Sequence, residues 1–275
     1  MKLLRAATEL LEKAGACRPR WTAEQLLAHR LNCKPIELYV ESPPINSRQA
    51  IQFQTDVAAR ATGVPLQYLL GSTEFYGREF LVGPGVFIPR LETEILIEVV
   101  LELLPRQATV MDVGTGSGAI AVTLALERPR VRSVGIDRSS HALSSARRNA
   151  DRHHAAVTFI QGDLLHSLSE ETMDLIVANL PYLDPSRASD WPRELHWEPW
   201  AALDGGEAGL SLIQKLIGQS AFVLKPGGSL VLEIGAGQAA LVSEFARTNG
   251  FKLDRVVPDL SGFDRVAVLK SEKEK

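Results

Sequence analysis

The 275-residue chain is 45% hydrophobic and 23% charged, as is ordinary for a soluble globular protein, and it has room for one large α/β domain and a smaller one. Its formal net charge of −3 lacks the basic excess that usually accompanies nucleic-acid binding, and no apolar run approaches the length of a membrane span. Its two cysteines stand outside any CxxC pattern and its six histidines show no ligand spacing, so we expect no disulfide and no metal site, and a cytoplasmic location.

The N-terminal part of the chain predicts a small helical bundle. Leucines and alanines recur at helical spacing from Leu3 to Leu11. Thr22-Ala-Glu-Gln25 has the pattern of a capping box and predicts the start of a second helix. A third helix is predicted from Ser47 until the Gly63-Val-Pro65 stop. We expect residues 1–71 to form this helical domain.

A β-hairpin is predicted next. Ser72–Tyr76 and Arg78–Val82 read as two short strands on either side of Gly77. We expect residues 72–90 to link the helical domain to a second domain.

The remainder, residues 91–275, alternates between strands and helices. Such alternation predicts a doubly wound, mostly parallel sheet, and the last two strands, with no helix between them, predict an antiparallel edge. The seven predicted strands are Thr109–Val113, Val131–Asp137, Val157–Ile160, Asp174–Ala178, Ser229–Ile234, Lys252–Val257 and Asp264–Leu269. Residues 179–206 are predicted to be irregular.

A glycine-rich loop follows the first of these strands. Its sequence is Asp112-Val113-Gly114-Thr115-Gly116-Ser117-Gly118. Glycines allow a tight turn and a close approach of a ligand, and the helix N-terminus behind them offers free N–H groups. Asp137, nineteen positions after Gly118 at the end of the next strand, can accept hydrogen bonds from the hydroxyls of a ribose.

The spacing of this loop favours S-adenosylmethionine over NAD or FAD. It is GxGxG rather than GxGxxG, and Asp112 lies two positions before the first glycine. A carboxylate there would repel a pyrophosphate, whereas it can accept hydrogen bonds from a methionine ammonium group. The pattern looks like the first motif of class I methyltransferases. A tight turn without a ligand is the alternative.

Asp163 and Leu164 follow the third strand of the sheet. In a class I methyltransferase this position meets the adenine, and Leu164 would pack on the adenine face. Equally, Asp163 could cap a helix and Leu164 could fill the core.

The segment Asn179-Leu180-Pro181-Tyr182 follows the fourth strand, where open α/β sheets place their ligands. A planar NH2 group carries two N–H donors and needs two acceptors, which the Asn179 side-chain oxygen and the Leu180 carbonyl can supply. Pro181 restricts Leu180 to extended conformations and so fixes where that carbonyl points. Tyr182 offers a flat wall. The segment predicts an NH2 substrate, although asparagine and proline are also common in ordinary turns.

Together these segments resemble the protein-glutamine methyltransferases that modify peptide chain release factors (the HemK/PrmC type), over nearly the whole chain. The most specific segment is Phe87-Ile-Pro89-Arg90-Leu-Glu92-Thr93-Glu94. The likeness also includes the helical start, Gly63–Gly71, Phe75–Gly77, the glycine loop, the Asn179 segment, Glu198-Pro199 and Glu233-Ile-Gly235 with Gln238.

The resemblance implies a class I methyltransferase fold, S-adenosylmethionine as cofactor and, as substrate, the glutamine of the Gly-Gly-Gln motif in release factors that are free of the ribosome. It assigns Gly114–Gly118, Asp137 and the Asp163-Leu164 region to the cofactor, in addition to Asp112. Asn179 would border both the cofactor and the substrate. It assigns the Asn179 oxygen and the Leu180 carbonyl to the substrate amide, and Pro181 and Tyr182 to its pocket. The helical domain would hold the release factor.

Two residues depart from the family pattern, which usually has Asn-Pro-Pro-Tyr. Leu180 stands at the first of these prolines, and Leu91 stands where the family commonly has proline. Asn-Leu-Pro-Tyr looks like the motif of ribosomal RNA adenine dimethyltransferases. Leucine keeps the carbonyl that the amide needs, but it loses the rigidity of proline.

Several alternatives stay open. A ribosomal-protein glutamine is a sibling substrate, and the exocyclic amine of adenine in RNA or DNA would fit the same acceptors. A non-catalytic cofactor-binding module and an NAD oxidoreductase are the remaining readings. Arg90, Glu92 and Glu94 could line a substrate channel, or they could cap and solvate the helix that begins near Thr93.

Overall fold

The computed structural model describes residues 2–166 and 168–273. The chain forms two compact units. The first comprises the chain up to Thr73 together with Pro192–Trp197, and the second comprises Glu74–Trp191 and the chain from Glu198 onward. Within the described ranges, no helix is long and apolar enough to cross a membrane, and no three metal-binding side chains cluster.

The first unit is helical. Its helices are α1 (Lys2–Lys13), α2 (Pro19–Leu31), α3 (Glu37–Val40), α4 (Ser47–Ala61) and α5 (Leu66–Leu70). Leu11, Leu26 and Phe53 are fully buried among them, so the apolar faces of α1, α2 and α4 form a common core. The segment Pro192–Trp197 joins this unit through the buried Arg60, which donates to Glu194 at 2.6 Å.

The capping box predicted at Thr22 is wrong. The helix α2 begins one turn earlier, at Pro19, because proline with its fixed φ is favourable in the first turn of a helix. The Thr22 hydroxyl donates to the Cys17 carbonyl at 3.1 Å instead of capping a helix. A true capping box opens α4, where Asn46 and Gln49 bond each other's backbone N–H groups.

The predicted hairpin starts with the last residues of the first unit and continues into the second, which goes on as the predicted α/β sheet. The hairpin strands are β1 (Ser72–Phe75) and β2 (Arg78–Leu81), joined by Tyr76 and Gly77, both with positive φ as in a type I′ turn. The helices that follow are α6 (Thr93–Leu103), α7 (Ala119–Glu127), α8 (Ser140–Arg152), α9 (Ser211–Val223) and α10 (Ala239–Thr248). The strands are β3 (Thr109–Val113), β4 (Arg132–Asp137), β5 (Val157–Gln161), β6 (Met173–Ala178), β7 (Leu224–Glu233), β8 (Phe251–Pro258) and β9 (Asp264–Ser271).

The seven strands lie in the order β5-β4-β3-β6-β7-β9-β8. The first five of these are parallel, and β9 runs antiparallel to both β7 and β8. The doubly wound sheet with its antiparallel edge is therefore confirmed. The strand order reverses between β3 and β6, so the crevice at their carboxyl ends is the topological switch point, where such sheets bind ligands.

Alternate residues of each strand face two different hydrophobic layers, as the strand period requires. Met111 and Val113 of β3 pack in the layer that holds α9 and α10, whereas Val110 packs in the layer that holds α6 and α7. Both faces of the central strands are therefore covered, as is usual for a parallel sheet. The irregular stretch after β6 contains short 3₁₀ segments and an isolated β-bridge between Leu183 and Asp204.

Candidate active site at the β3–β6 crevice

The glycine loop and the Asn179 segment lie side by side. In the sheet register Val113, which ends β3, pairs with Ala178, which ends β6. The residues that follow each strand, Gly114 and Asn179, therefore leave the sheet at the same point. This juxtaposition is the one that the sequence pattern predicts for the two motifs.

The three glycines of the loop have different neighbours. All three have positive φ, between 55° and 81°. A Cβ on Gly114 would lie 2.9 Å from Leu180 Cδ2, and one on Gly118 would lie 3.0 Å from Ala146 Cβ. A Cβ on Gly116 would meet only the Gly114 carbonyl oxygen, at 3.8 Å, so the space above Gly116 is open to a ligand.

Asp112 is buried beneath this loop. Its Oδ2 accepts hydrogen bonds from the Thr115 hydroxyl at 2.6 Å and from the Ala121 N–H at 3.2 Å. Its Oδ1 is buried without a partner among the described residues. Burial raises the pKa of Asp112 to about 7. A buried acceptor without a donor is costly, and a ligand carrying N–H donors would satisfy it.

Asp137 ends β4 and faces the same loop. Its Oδ2 accepts from the Gly116 N–H and its Oδ1 from the Ser139 N–H, each at 2.9 Å. These two bonds fix the carboxylate, and each oxygen keeps a lone pair for a further donor. The side chain is half-buried, so it remains reachable from the crevice.

Asp163 and Leu164 follow β5, at the next strand end along the sheet. Asp163 is exposed, and the residues after it form a turn rather than a helix, so the helix-cap alternative fails. Leu164 has a φ of 51° and packs partly buried against the core. A left-handed conformation at a leucine is uncommon, and it is often found at binding loops.

The Asn179 side chain is held in one orientation. Its Nδ2 donates to the Thr93 hydroxyl oxygen at 3.0 Å, and the Thr93 hydroxyl donates to Glu233 Oε2 at 2.7 Å. Among the described residues, Asn179 Oδ1 has no donor. The oxygen is thus left as an acceptor on a half-buried side chain.

Leu180 belongs to the Asn179 segment, and its side chain also reaches the glycine loop. Its side chain is buried in the core layer of α9 and α10, and it lies against Gly114. A proline ring at this position would not extend as far toward the loop. The departure from the family pattern therefore exchanges backbone rigidity for packing.

Tyr182 is fixed at both its hydroxyl and its backbone. The hydroxyl donates to Glu233 Oε1 at 3.2 Å, and the carbonyl accepts from Gln238 Nε2 at 3.2 Å. Burial and the neighbouring Glu233 raise the pKa of the Tyr182 phenol, so it remains a donor at neutral pH.

Glycines of the irregular stretch close in on the same backbone. A Cβ on Gly205 would lie 2.7 Å from the Pro181 carbonyl oxygen, and one on Gly209 would lie 2.0 Å from that of Tyr182. Only glycine permits this approach. The backbone at Pro181 and Tyr182 is therefore closely packed against the irregular stretch.

Two of the three charged residues before and at the start of α6 make structural contacts. Glu94 accepts from the Tyr76 N–H at 2.8 Å and so fixes the hairpin turn. Arg90 pairs with the buried Glu198, which also accepts from the Ile88 N–H at 3.0 Å. Glu92 makes no side-chain cap on α6.

Sequence reasoning missed the buried partners of the site. The supporting hydrogen bonds of the site are made by Thr93, Glu233, Gln238 and Asn149. In the sequence, the first three are notable only for their likeness to the family, and Asn149 is not notable at all. No local pattern could reveal their role, because Thr93 and Glu233 are 140 positions apart. Their signal in the sequence is only that polar residues occur within otherwise apolar elements.

The protein-family comparisons divide the chain in a similar way. Residues 2–71 match the PrmC N-terminal domain, and residues 105–233 match a methyltransferase domain. Release factor glutamine methyltransferases are similar over nearly the full length. The one from Koribacter versatilis (strain Ellin345) is 44% identical over 269 residues, covering 96% of this chain and 95% of that protein. The one from Geobacter sulfurreducens is 40% identical over 258 residues, covering 93% and 91%.

Solved structures share the fold. A ribosomal protein L11 methylase from Lactobacillus delbrueckii subsp. bulgaricus aligns with a TM-score of 0.53 at 18% identity, covering 73% of this chain and 90% of that one. A methyltransferase from Pyrococcus furiosus aligns with a TM-score of 0.57 at 16% identity, covering 83% and 100%. The sheet is that of class I methyltransferases, whose methyl donor is S-adenosylmethionine. By its full-length similarity, the chain belongs to the release factor glutamine methyltransferase family.

Proposed function

We propose that this protein methylates the side-chain amide nitrogen of the glutamine in the Gly-Gly-Gln motif of peptide chain release factors, free of the ribosome and in the cytoplasm. The full-length relatives support the substrate, since each is named for release factor glutamine. The observation that carries the site assignment is the Asn179 oxygen at the carboxyl end of β6, which has no donor within the described part of the chain. An amide NH2 group has two N–H donors, one for the Asn179 oxygen and one for the Leu180 carbonyl.

Each part of the crevice is assigned one task. The methionine part of the cofactor would be held by Asp112, Thr115, Ser117 and the three loop glycines. Asp112 Oδ1 has no partner in residues 2–166 and 168–273. Asp137 would accept from the ribose, and Asp163 and Leu164 would border the adenine. Residues 1–71 would bind the release factor, 72–90 would link the parts, and 91–275 would carry the chemistry.

The chemistry needs alignment more than it needs a strong base. Bound S-adenosylmethionine supplies an electrophilic methyl group on its sulfonium sulfur. An amide nitrogen is a poor nucleophile because its lone pair is conjugated with the carbonyl. The Asn179 oxygen and the Leu180 carbonyl would accept its two hydrogens, orient the nitrogen and stabilise the positive charge that develops on it. Pro181 and Tyr182 would wall the amide plane.

An adenine amine is the second candidate, because Asn-Leu-Pro-Tyr looks like the motif of RNA adenine dimethyltransferases. The buried position of Leu180 against Gly114 gives this leucine a packing role that does not depend on the substrate. The net charge of −3 also offers no general attraction for RNA.

The test is a methyl-transfer assay with labelled S-adenosylmethionine and two substrates, a release factor and its Gly-Gly-Gln variant with Gln→Ala. We expect label on the first and none on the second, with mass spectrometry placing the methyl group on glutamine. Equal labelling of both proteins, or labelling of ribosomal RNA instead, would contradict the proposal.

A further inference from the structure

We propose that Thr93 and Glu233 are positioning residues that set which atom of the Asn179 amide faces the substrate, through a hydrogen-bond chain of fixed direction. The inference rests on the proposed function, because it concerns the acceptor that the substrate amide uses. It goes beyond the assigned site, since neither residue belongs to the glycine loop or to the Asn179 segment.

The direction of the chain follows from counting hydrogens. An ionised carboxylate has none, so Glu233 can only accept, and it accepts from Thr93 at Oε2 and from Tyr182 at Oε1. The single hydrogen of the Thr93 hydroxyl is used in that bond. The Thr93 oxygen can then only accept from Asn179, and the atom that donates must be Nδ2.

A fixed direction matters because an asparagine amide is nearly symmetric in shape. If Asn179 turned over, its NH2 group would face the NH2 group of the substrate, and two donors would oppose each other. Without an acceptor at Thr93, nothing in the described contacts of Asn179 would favour one orientation. Through this chain of hydrogen bonds, the buried negative charge of Glu233 keeps the Asn179 oxygen facing the crevice as an acceptor.

Burial makes this arrangement firm. Thr93 is 3% exposed and Glu233 is 1% exposed, so water does not compete for their bonds. The elements are firm too, because Thr93 is the first residue of α6 and Glu233 is the last residue of β7. Helix, strand and the Asn179 segment thus meet at one carboxylate.

The groups that face Glu233 come from three parts of the fold. Thr93 and Glu92 lie at the start of α6, Tyr182 lies after β6, and Arg265 lies on β9. Arg265 is held by Asp259 at 2.9 Å and donates to the Ile234 carbonyl, so it is a fixed cation rather than a direct partner of Glu233. It favours the ionised form that the chain requires.

The test compares Thr93→Val, which keeps the shape and loses the hydroxyl, with Thr93→Ser, which keeps the hydroxyl. The control is Thr123→Val on α7, a buried threonine whose hydroxyl has no partner among the described residues. At about pH 8, we expect Thr93→Val to lower kcat about 5-fold to 50-fold, less than loss of a direct contact. Thr93→Ser should restore most of it, and Thr123→Val should change it little. Cofactor affinity should be unchanged in all three.

A double-mutant cycle separates positioning from general damage. If Thr93 acts through Asn179, then Thr93→Val should lower kcat no further once Asn179 is alanine. An equal loss in both backgrounds, or kcat of Thr93→Val equal to that of Thr93→Ser, would overturn the inference. The proposed function fails separately, since wild-type protein would then leave the release factor glutamine unlabelled.

Discussion

At the scale of single residues, the site presents several hydrogen-bond acceptors that can bind the donors of a ligand. Asp112 Oδ1 is buried and has no partner among the residues that the structure describes. The Asn179 amide donates through Nδ2, which leaves Oδ1 as an acceptor. Asp137 accepts one backbone N–H at each oxygen and can accept further hydrogen bonds. A sulfonium amino acid with an ammonium group and a ribose, together with a primary amide, supplies donors of these kinds. The residues thus fit the methyl donor and the substrate on chemical grounds that are independent of the family likeness.

Replacing Asp137 with alanine should weaken cofactor binding by about 1.5–3 kcal/mol, the usual value of hydrogen bonds to a charged group. The variant would lose the expected ribose contacts and also the bond that holds the Gly116 N–H. Titration calorimetry with S-adenosylmethionine measures the change. Asp174→Ala is the matched control, because Asp174 also bonds a backbone N–H but stands at the start of β6, at the other end of the sheet. Equal affinity in wild type and Asp137→Ala would refute the ribose assignment.

At the scale of elements, one buried asparagine joins the hairpin, the glycine loop and α8. Asn149 is fully buried; its Nδ2 donates to the Leu81 and Ser117 carbonyls, and its Oδ1 accepts from the Leu81 N–H at 2.7 Å. Its bond to Ser117 supports the glycine loop from behind.

Asn149→Ala should therefore lower the free energy of unfolding by about 2–4 kcal/mol, since it leaves buried backbone groups without partners. Denaturant titration measures this loss. Asn249 lies at the end of α10, and its side-chain bonds to described residues all go to its own helix, so Asn249→Ala should cost less than about 1 kcal/mol. Similar losses in the two variants would mean that the buried hydrogen bonds of Asn149 stabilise the fold no more than those of Asn249.

Elements were also the scale at which sequence patterns succeeded. Strands of alternating or continuous apolar residues, ended by glycine or proline, have a strong local signal, and the strand Thr109–Val113 is predicted to the residue. The short helices α3 and α5 were missed, because four or five residues carry no clear period. Thr22 misled because a capping pattern is local, whereas Pro19 had already begun the helix.

The site itself was predicted in part. Gly114, Asp137 and Asn179 stand at strand ends, and a parallel sheet brings such ends together whatever the distance along the chain. The bonds from Asn179 through Thr93 to Glu233 could not be predicted, because they join three elements and depend on side-chain packing. The contact of Leu180 with Gly114 is of the same kind.

At the scale of the whole molecule, the buried carboxylate of Glu233 makes the free energy of unfolding depend on pH. Burial raises the pKa of Glu233 from its ordinary 4.5 to about 7, with Glu92 adding to the rise and Arg265, Thr93 and Tyr182 opposing it. The folded protein therefore holds this proton more tightly than the unfolded chain. The resulting contribution to stability is fully present below about pH 4.5 and is lost as the pH rises through about 7.

Glu233→Gln should flatten that dependence, because the amide carries no titrating proton. Between about pH 5 and about pH 8, wild type should lose stability relative to the variant, on the order of 3 kcal/mol at most. Urea unfolding of the ligand-free proteins at the two pH values measures the difference, with the exposed Glu244→Gln as control for removing one charge. A difference that is constant with pH, or of opposite sign, would contradict the assignment of the cost to Glu233.

The central claim is that Asn179 accepts from the amide of the substrate glutamine, and a single-turnover assay tests it most directly. Wild-type protein and Asn179→Ala, each saturated with labelled S-adenosylmethionine, would be mixed with excess release factor. We predict that the variant transfers methyl about 30-fold to 1000-fold more slowly, equivalent to about 2–4 kcal/mol of barrier, while its cofactor affinity is nearly unchanged. Transfer at a near-normal rate by Asn179→Ala would contradict the account.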